Sequence, residues 1–218
     1  MRVVREGAVV ALVLVGVGGA LGRLASWPWA VPWVLLAGGI LYFFRDPDRE
    51  IPNEPHLVLA PADGMVSAVE RLSTGGEFGT RFSIFLRMRD VHIIRSPVGG
   101  RVASITRTRG RFMDAEHPRS HLLNEQNRIR LEDGRSAIEF VQIAGMYARR
   151  IVCWVAVGDE VQRGQRVGLI RFGSRADVYL PPDAVVLVKE GAHVRAGLDA
   201  IARLGHAQQP LGREAEQD

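Results

Sequence analysis

The sequence predicts a mainly β fold, a compact pseudo-symmetric β-barrel or sandwich, preceded by an apolar helical membrane segment. Three observations carry this. Beyond residue 56 the chain runs in short alternating segments punctuated by glycine and proline, as strands joined by tight turns do. Two turn patterns each occur twice, which implies two similar halves. From Ala8 to Phe44 the only charged side chain is Arg23. The composition fits one domain with an appendage: 218 residues, 47% hydrophobic and 24% charged, which excludes a disordered or low-complexity chain. A single cysteine, Cys153, excludes an internal disulfide and a cysteine-built zinc site. The net charge of +4 is almost entirely arginine, Lys189 being the only lysine. With no zinc-finger, helix-turn-helix or RNA-binding signature, nucleic acid is not an expected partner. The charge suits an anionic membrane surface or a phosphate-bearing substrate.

The elements follow in order. Residues 8–22 form an apolar stretch of 15 and residues 24–44 a second of 21. A bilayer span needs roughly 20 such residues, so the second is long enough and the first is short. Pro28 and Pro32 bend or restart the helix there. Trp27, Trp29 and Trp33 gather at one end and Tyr42 near the other, as interfacial aromatics do. Arg2 and Arg5 before a short apolar core also suit a secretory signal, but a second apolar segment follows at once. A hairpin or re-entrant pair accounts for both. It brings Arg2, Arg5, Arg45 and Arg49 to one face, which the positive-inside rule makes cytoplasmic. Residues 1–44 are thus read as the membrane segment, 45–56 as a charged, proline-rich linker and 57–218 as the β-rich domain. Its expected strands include Arg81–Met88, Arg101–Thr106, Ser136–Ile143, Ile151–Val157, Arg166–Phe172 and Ala184–Lys189. The polar stretch from Arg109 to Arg130 reads as a loop with a short helix.

The repeated turns are specific in position. Pro61-Ala-Asp-Gly64-Met-Val66 is echoed by Pro97-Val-Gly-Gly100-Arg-Val102, and Gly158-Asp-Glu-Val161-Gln-Arg-Gly164 by Gly191-Ala-His-Val194-Arg-Ala-Gly197. Together they resemble the flattened barrels of biotinyl and lipoyl carrier domains. In those barrels the segment after such a turn runs to an exposed hairpin that displays a lysine. Here Ser174 falls near that tip and no lysine does.

Four blocks carry a closer resemblance. They are Phe43-Phe-Arg-Asp-Pro47, Ala60-Pro-Ala-Asp-Gly64, Asp90-Val-His-Ile-Ile-Arg-Ser-Pro97, and the run from Ala148 through Ile170-Arg-Phe-Gly-Ser-Arg175 to Pro181. Over residues 40–204 or so the chain resembles the short-type phosphatidylserine decarboxylases. The resemblance implies an enzyme that cuts itself between Gly173 and Ser174, into chains 1–173 and 174–218 that stay together. Ser174 would become a covalent pyruvoyl group that forms a Schiff base with the amine of phosphatidylserine and leaves phosphatidylethanolamine on decarboxylation. It gives Ser174, His92 and Asp63 the catalytic places, as nucleophile, base and orienting carboxylate. Arg95 and Arg150 are the candidates to hold the lipid phosphate, since arginine forks match phosphate oxygens.

On the residues alone, Gly173-Ser174 is an ordinary turn, while for Asp63 an Asx turn and for His92 a histidine satisfied between strands stand open beside the functional readings. The chain also departs from the longer members, which carry H-x-x-H where this one has His92 and Arg95. Either His92 serves both cleavage and decarboxylation, or His117 or His121 takes a share. His56, His193 and His206 read as surface residues. His92 has no second histidine two or four positions away, so no metal is expected. The rival to catalysis is a membrane-tethered lipoyl-like adaptor or carrier, for which the chain offers neither heptads nor a suitably placed lysine. The sequence leaves open a further homo-oligomer and whether the apolar pair spans the bilayer or dips into it.

Overall fold

A computed structural model describes residues 2–54, 56–72, 75–132, 137–146, 150–171 and 174–205. The strand β1 (Arg2–Val3) leads into helix α1 (Arg5–Leu24), a 3₁₀ turn at Trp27–Ala30, helix α2 (Val31–Phe43) and β2 (Arg45–Asp46). The β-rich part follows: β3 (Leu57–Leu59), β4 (Gly64–Arg71), β5 (Thr80–Leu86), β6 (Ile93–Arg95), β7 (Gly100–Thr108), the short helix α3 (Ser120–Leu123), β8 (Gln126–Glu132) and β9 (Ala137–Ile143). Then come β10 (Ile151–Cys153), β11 (Glu160–Val161), β12 (Arg166–Ile170), β13 (Ser174–Leu180), β14 (Val185–Val186), β15 (His193–Val194) and β16 (Ala200–Arg203).

The apolar N-terminus forms a helical hairpin. Pro28 restarts the chain in the 3₁₀ turn and Pro32 sits in the first turn of α2, where a missing N–H costs nothing. Small residues let the helices approach closely: a Cβ on Gly18 would meet the Trp33 side chain at 2.8 Å, and Ala11 and Ala37 are buried. At the open end β1 pairs antiparallel with β2, so that Arg2 faces Asp46 and the two flanks meet. Of the two helices, the 20-residue α1 is long and apolar enough to cross a membrane, and 13-residue α2 is shorter.

Beyond the hairpin the longest sheet runs β11-β7-β8-β9-β13-β5-β4-β15 and curls into a half-barrel. Two three-stranded sheets, β10-β12-β6 and β14-β16-β3, complete the barrel. The order is palindromic about the β9–β13 pair, and the repeated turns realise that symmetry bond by bond. Val161 pairs with Gly100 as Val194 pairs with Gly64. The β4 ladder slips at Val66/Ala68 and the β7 ladder at Val102/Ser104, bulges that bend both strands at the same place. Gly164 donates to the Ser96 carbonyl (2.8 Å) as Gly197 does to that of Ala60 (2.9 Å). Across the pseudo-axis, Arg95 N–H bonds Pro61 O while Leu59 N–H bonds Pro97 O.

Alternation puts Phe82, Ile84 and Leu86 of β5, Ile138 and Phe140 of β9, and Ala176, Val178 and Leu180 of β13 on one face, in a common buried core. Each such aliphatic or aromatic side chain contributes about 1.5–3 kcal/mol by leaving water. The opposite face of β5 and β13 is also buried but polar. There Arg175 forms a bidentate pair with Asp177 and donates to the Ser83 hydroxyl.

Several local expectations are corrected. Residues 126–130, read as loop, form the start of β8, and α3 is the short helix of that stretch. The segment expected to lead to an exposed hairpin tip is instead β13, a central strand hydrogen-bonded to β5 and β9 on its two sides. Ser174 is its first residue and is fully buried. Residues 45–54 lie strapped along the barrel: Asp46 pairs with Arg95 and Arg166, and Arg163 donates to the carbonyls of Pro52 and Glu54. Ile51 packs on both Gly164 and Gly197, at the pseudo-axis.

Candidate active site

Strand ends bring the candidate residues together. Ser174 pairs with Leu86 at the end of β5, and Met65 with Phe85, so continuing the register sets Gly64, Leu86 and Ser174 in one row. Two inter-strand spacings separate Gly64 from Ser174, about 10 Å. Asp63 stands one residue before that row. From Leu86 the chain turns at Arg87–Asp90, closed by Asp90 N–H to Arg87 O, and reaches His92. On the other flank, the end of β12 touches the same residue: Ile170 N–H donates to the His92 carbonyl at 3.2 Å, four positions before Ser174. Both flanks of Ser174 thus lead to His92. Gly173 and Phe172 lie outside the described residues.

Two of the candidate side chains have an unpartnered buried atom among the described residues. Ser174 Oγ and His92 Nε2 are buried atoms with no hydrogen bond among the described residues. His92 Nδ1 lies 2.9 Å from the Asp90 carbonyl. A carbonyl only accepts, so Nδ1 carries the proton and the neutral ring keeps a lone pair on Nε2. The ring is 1% exposed. Burial pushes its pKa down to about 4 and the nearby Arg45 adds to this, against the opposing pull of Asp90 and Asp63. The ring of Phe43, the last residue of α2, packs on the imidazole with centroids 4.3 Å apart.

Asp63 is buried, but it does not hydrogen-bond His92. Its carboxylate accepts two bonds from Arg49 (2.6 and 2.8 Å) and a third from Ala196 N–H (2.8 Å). The partner that orients His92 is the Asp90 carbonyl. Asp90 is itself buried and held by Arg87 N–H and by His193 Nε2, 3.1 Å from Oδ1. The sequence marks Arg49 as a flanking cation and Phe43 and Asp90 as members of the resemblance blocks, and gives none of them a place at the site. An aspartate two positions before the histidine was visible as a signal, whereas the reach of Arg49 across 14 residues was not.

The remaining candidates spread out. Arg95 is 5% exposed and fully engaged with Gly164 O, Pro47 O and Asp46. Arg150 is exposed and lines a cavity of about 290 Å³ with Arg107, Asn127, Ile151, Val152 and Cys153. Its carbonyl accepts from Arg171 N–H, three positions before Ser174. His117 lies in the loop before α3, accepting from Arg119 N–H, and His121 lies in α3 with its Nδ1 2.7 Å from the Pro118 carbonyl. His193 is half-exposed, His56 is half-buried, and His206 lies outside the described residues. Among the described residues no three His, Cys, Asp or Glu side chains gather to hold a metal.

The arrangement offers a serine at a strand start, a neutral histidine with a free lone pair under the base of an apolar hairpin, and an aspartate paired with Arg49. Comparison with known proteins shows the family. The family model described as "Phosphatidylserine decarboxylase" matches residues 36–202. A "Phosphatidylserine decarboxylase proenzyme" of Pelobacter propionicus is 44% identical over 190 residues, 84% of this chain and 86% of the relative. A match over that much of both chains, spanning the hairpin's end, the strap and every strand of the site, identifies an enzyme: the chain belongs to the phosphatidylserine decarboxylase family.

Proposed function

We propose that this chain removes the carboxyl group of the phosphatidylserine headgroup to leave phosphatidylethanolamine, after cutting itself between Gly173 and Ser174. The observation that carries the reading is the pair of unpartnered buried atoms, Ser174 Oγ and His92 Nε2. Leaving a buried polar atom unsatisfied costs about 1–3 kcal/mol, and such costs persist where chemistry uses the atom. In the self-cleavage, Ser174 Oγ attacks the carbonyl carbon of Gly173 while its proton passes to His92 Nε2. The C–N bond breaks and an ester forms. Loss of the Ser174 α-proton then breaks the Cβ–O bond, freeing the Gly173 carboxylate and leaving dehydroalanine. Water replaces its nitrogen, which leaves as ammonia, and the pyruvoyl group remains at the start of residues 174–218.

Ser174 fits that conversion because its hydroxyl is committed to no structural bond. The pyruvoyl group supplies a ketone for the substrate amine and an electron sink for the loss of carbon dioxide. The chain's own residues do the rest. His92 Nε2 takes a proton from the ammonium of the incoming substrate and delivers it to the substrate α-carbon once the carboxylate has left. Asp63, fixed by Arg49, supplies a negative charge that favours the imidazolium as it forms. Arg150, beside the Arg107 and Asn127 cavity, is the cation for the lipid phosphate, Arg95 being spent on the strap. The hairpin seats the enzyme on the cell membrane, its arginine-flanked base and the barrel on the cytoplasmic face. After cleavage both chains remain one body, since β13 is bonded to β5 and β9 along its length.

The test is the intact mass under denaturing conditions, beside Ser174→Ala. The expected result is two chains, the smaller covering 174–218 with a pyruvoyl start, and a single chain for Ser174→Ala. Asp63→Asn and His92→Ala should slow cleavage by about 10²–10⁴-fold, the range for a lost acid–base group. One full-length mass from folded wild-type protein would overturn self-cleavage, and normal maturation of both variants would remove the roles of Asp63 and His92.

A further inference from the structure

We propose that Phe43, the last residue of membrane helix α2, is a positioning residue of the site: its ring covers the His92 imidazole, keeps water from it and holds the Nε2 lone pair free for the Ser174 hydroxyl. The inference rests on the reading of His92 as the base. The hairpin is therefore more than an anchor, because its base supplies one wall of the site.

The geometry is specific. The Phe43 and His92 rings lie 4.3 Å apart at 39°, a tilted contact that covers much of the imidazole face. Phe43 is held in turn by an edge-on contact with Phe44, centroids 5.0 Å apart, and by a second apolar cluster with Val91, Ile93 and Leu169. That cluster is separate from the main core and joins the hairpin to the barrel, with Ile40 and Val152 at its border. Ile93 follows His92 directly, and Leu169 pairs with Ile93 on β12.

The charges that act on the imidazole come from several elements. Asp90 lies on its own loop, Arg45 on the strap and Asp63 at the turn into β4. Arg171 at the end of β12 stands over the Phe44 ring at 5.9 Å, and His193 of β15 sits on Asp90. Helix α2 contributes no charge there. Removing Phe43 thus takes an apolar cover from the ring and lets water solvate the imidazolium.

The experiment uses the full-length chain in detergent micelles with Ser174→Ala, which keeps it uncut, and follows histidine ring NMR signals against pH. His92 is identified by the signal lost in His92→Ala. In the intact chain His92 should titrate well below the ordinary histidine value. Phe43→Ala should raise its pKa by roughly one to two units, and Phe43→Leu, which keeps the side apolar, should leave it nearly unmoved. With Ser174 restored, cleavage of newly synthesised Phe43→Ala chain should slow by up to about fourfold at about pH 5.5, the full factor belonging to a two-unit rise, and hardly at all at about pH 8, because only neutral His92 accepts the proton. An ordinary histidine titration in the intact chain, or an unmoved one in folded Phe43→Ala, overturns the proposal. Should Phe43→Ala not fold, Phe43→Val decides: a smaller rise is expected, and none overturns it. If His92→Ala cleaves as fast as wild type, the base assignment itself fails; a base-dependent cleavage with an unmoved titration removes only the role of Phe43.

Discussion

Asp63 shows how one side chain can be readable in type and misjudged in partner. A proline-bounded Asp-Gly turn marked it, and its carboxylate is indeed buried, yet the cation that neutralises it is Arg49 of the strap. With side chains 6% and 9% exposed, this pair has little water to fall back on. Removing one member of a buried pair costs about 3–5 kcal/mol because the other charge is left uncompensated. Arg49→Met should therefore lower the stability of the uncut Ser174→Ala chain by about that amount in urea unfolding. Adding Asp63→Asn should recover a large part of the loss. If Arg49→Met unfolds at the same urea concentration as its parent, the pair is not holding the strap.

The strands explain why cutting the chain would not dismantle it. β13 begins at Ser174 in the middle of the sheet, and its second residue, Arg175, is tied to Asp177 and Ser83 on the buried polar face. A new chain start at that point has no edge from which to fray. The neighbouring β4 depends on Gly64, where φ is +157° and a Cβ would lie 2.1 Å from the Phe85 carbonyl oxygen. Backbone cannot move aside cheaply, so Gly64→Ala should cost at least about 1–3 kcal/mol and pull Asp63 away from the Ser174 row. Gly99→Ala, where the added atom meets nothing closer than 3.6 Å, is the control and should unfold nearly like its parent. Equal urea midpoints for the two variants would mean that β4 and β5 separate more easily than their register indicates.

The molecule as a whole joins a hairpin with an apolar exterior to a barrel with a buried site. Leu12 and Leu35 are 74% and 71% exposed on its two helices, a surface that water alone would not favour. On a membrane these side chains face lipid, and a charge at such a depth costs about 2.5–3.5 kcal/mol on an insertion scale. Leu12→Arg with Leu35→Arg should reduce co-flotation with phosphatidylglycerol-containing vesicles by at least about tenfold. Undiminished flotation would mean that the hairpin's exposed faces are not what holds the protein to lipid. Because Phe43 belongs to α2 and packs on His92, the hairpin and the proposed site share one contact.

What the chain's letters determine by themselves is what depends on local chemistry and period. Apolar length and prolines mark the hairpin, alternation marks β5, β7, β9 and β12, and the doubled turns mark a pseudo-two-fold that the hydrogen bonds reproduce pair by pair. The four blocks around Arg45, Asp63, His92 and Ser174 likewise lead to the family. Only the tertiary structure decides that Ser174 opens a central strand rather than an exposed tip, because β13 finds its partners 88 and 32 positions back, at Leu86 for Ser174 and at Ile143 for Arg175. The same holds for Arg49 on Asp63 and Phe43 on His92. Contacts between segments far apart in the chain leave no period or spacing to read, since they are set by which strand ends the folded barrel gathers, and it is those contacts that bury the Ser174 hydroxyl and the His92 ring.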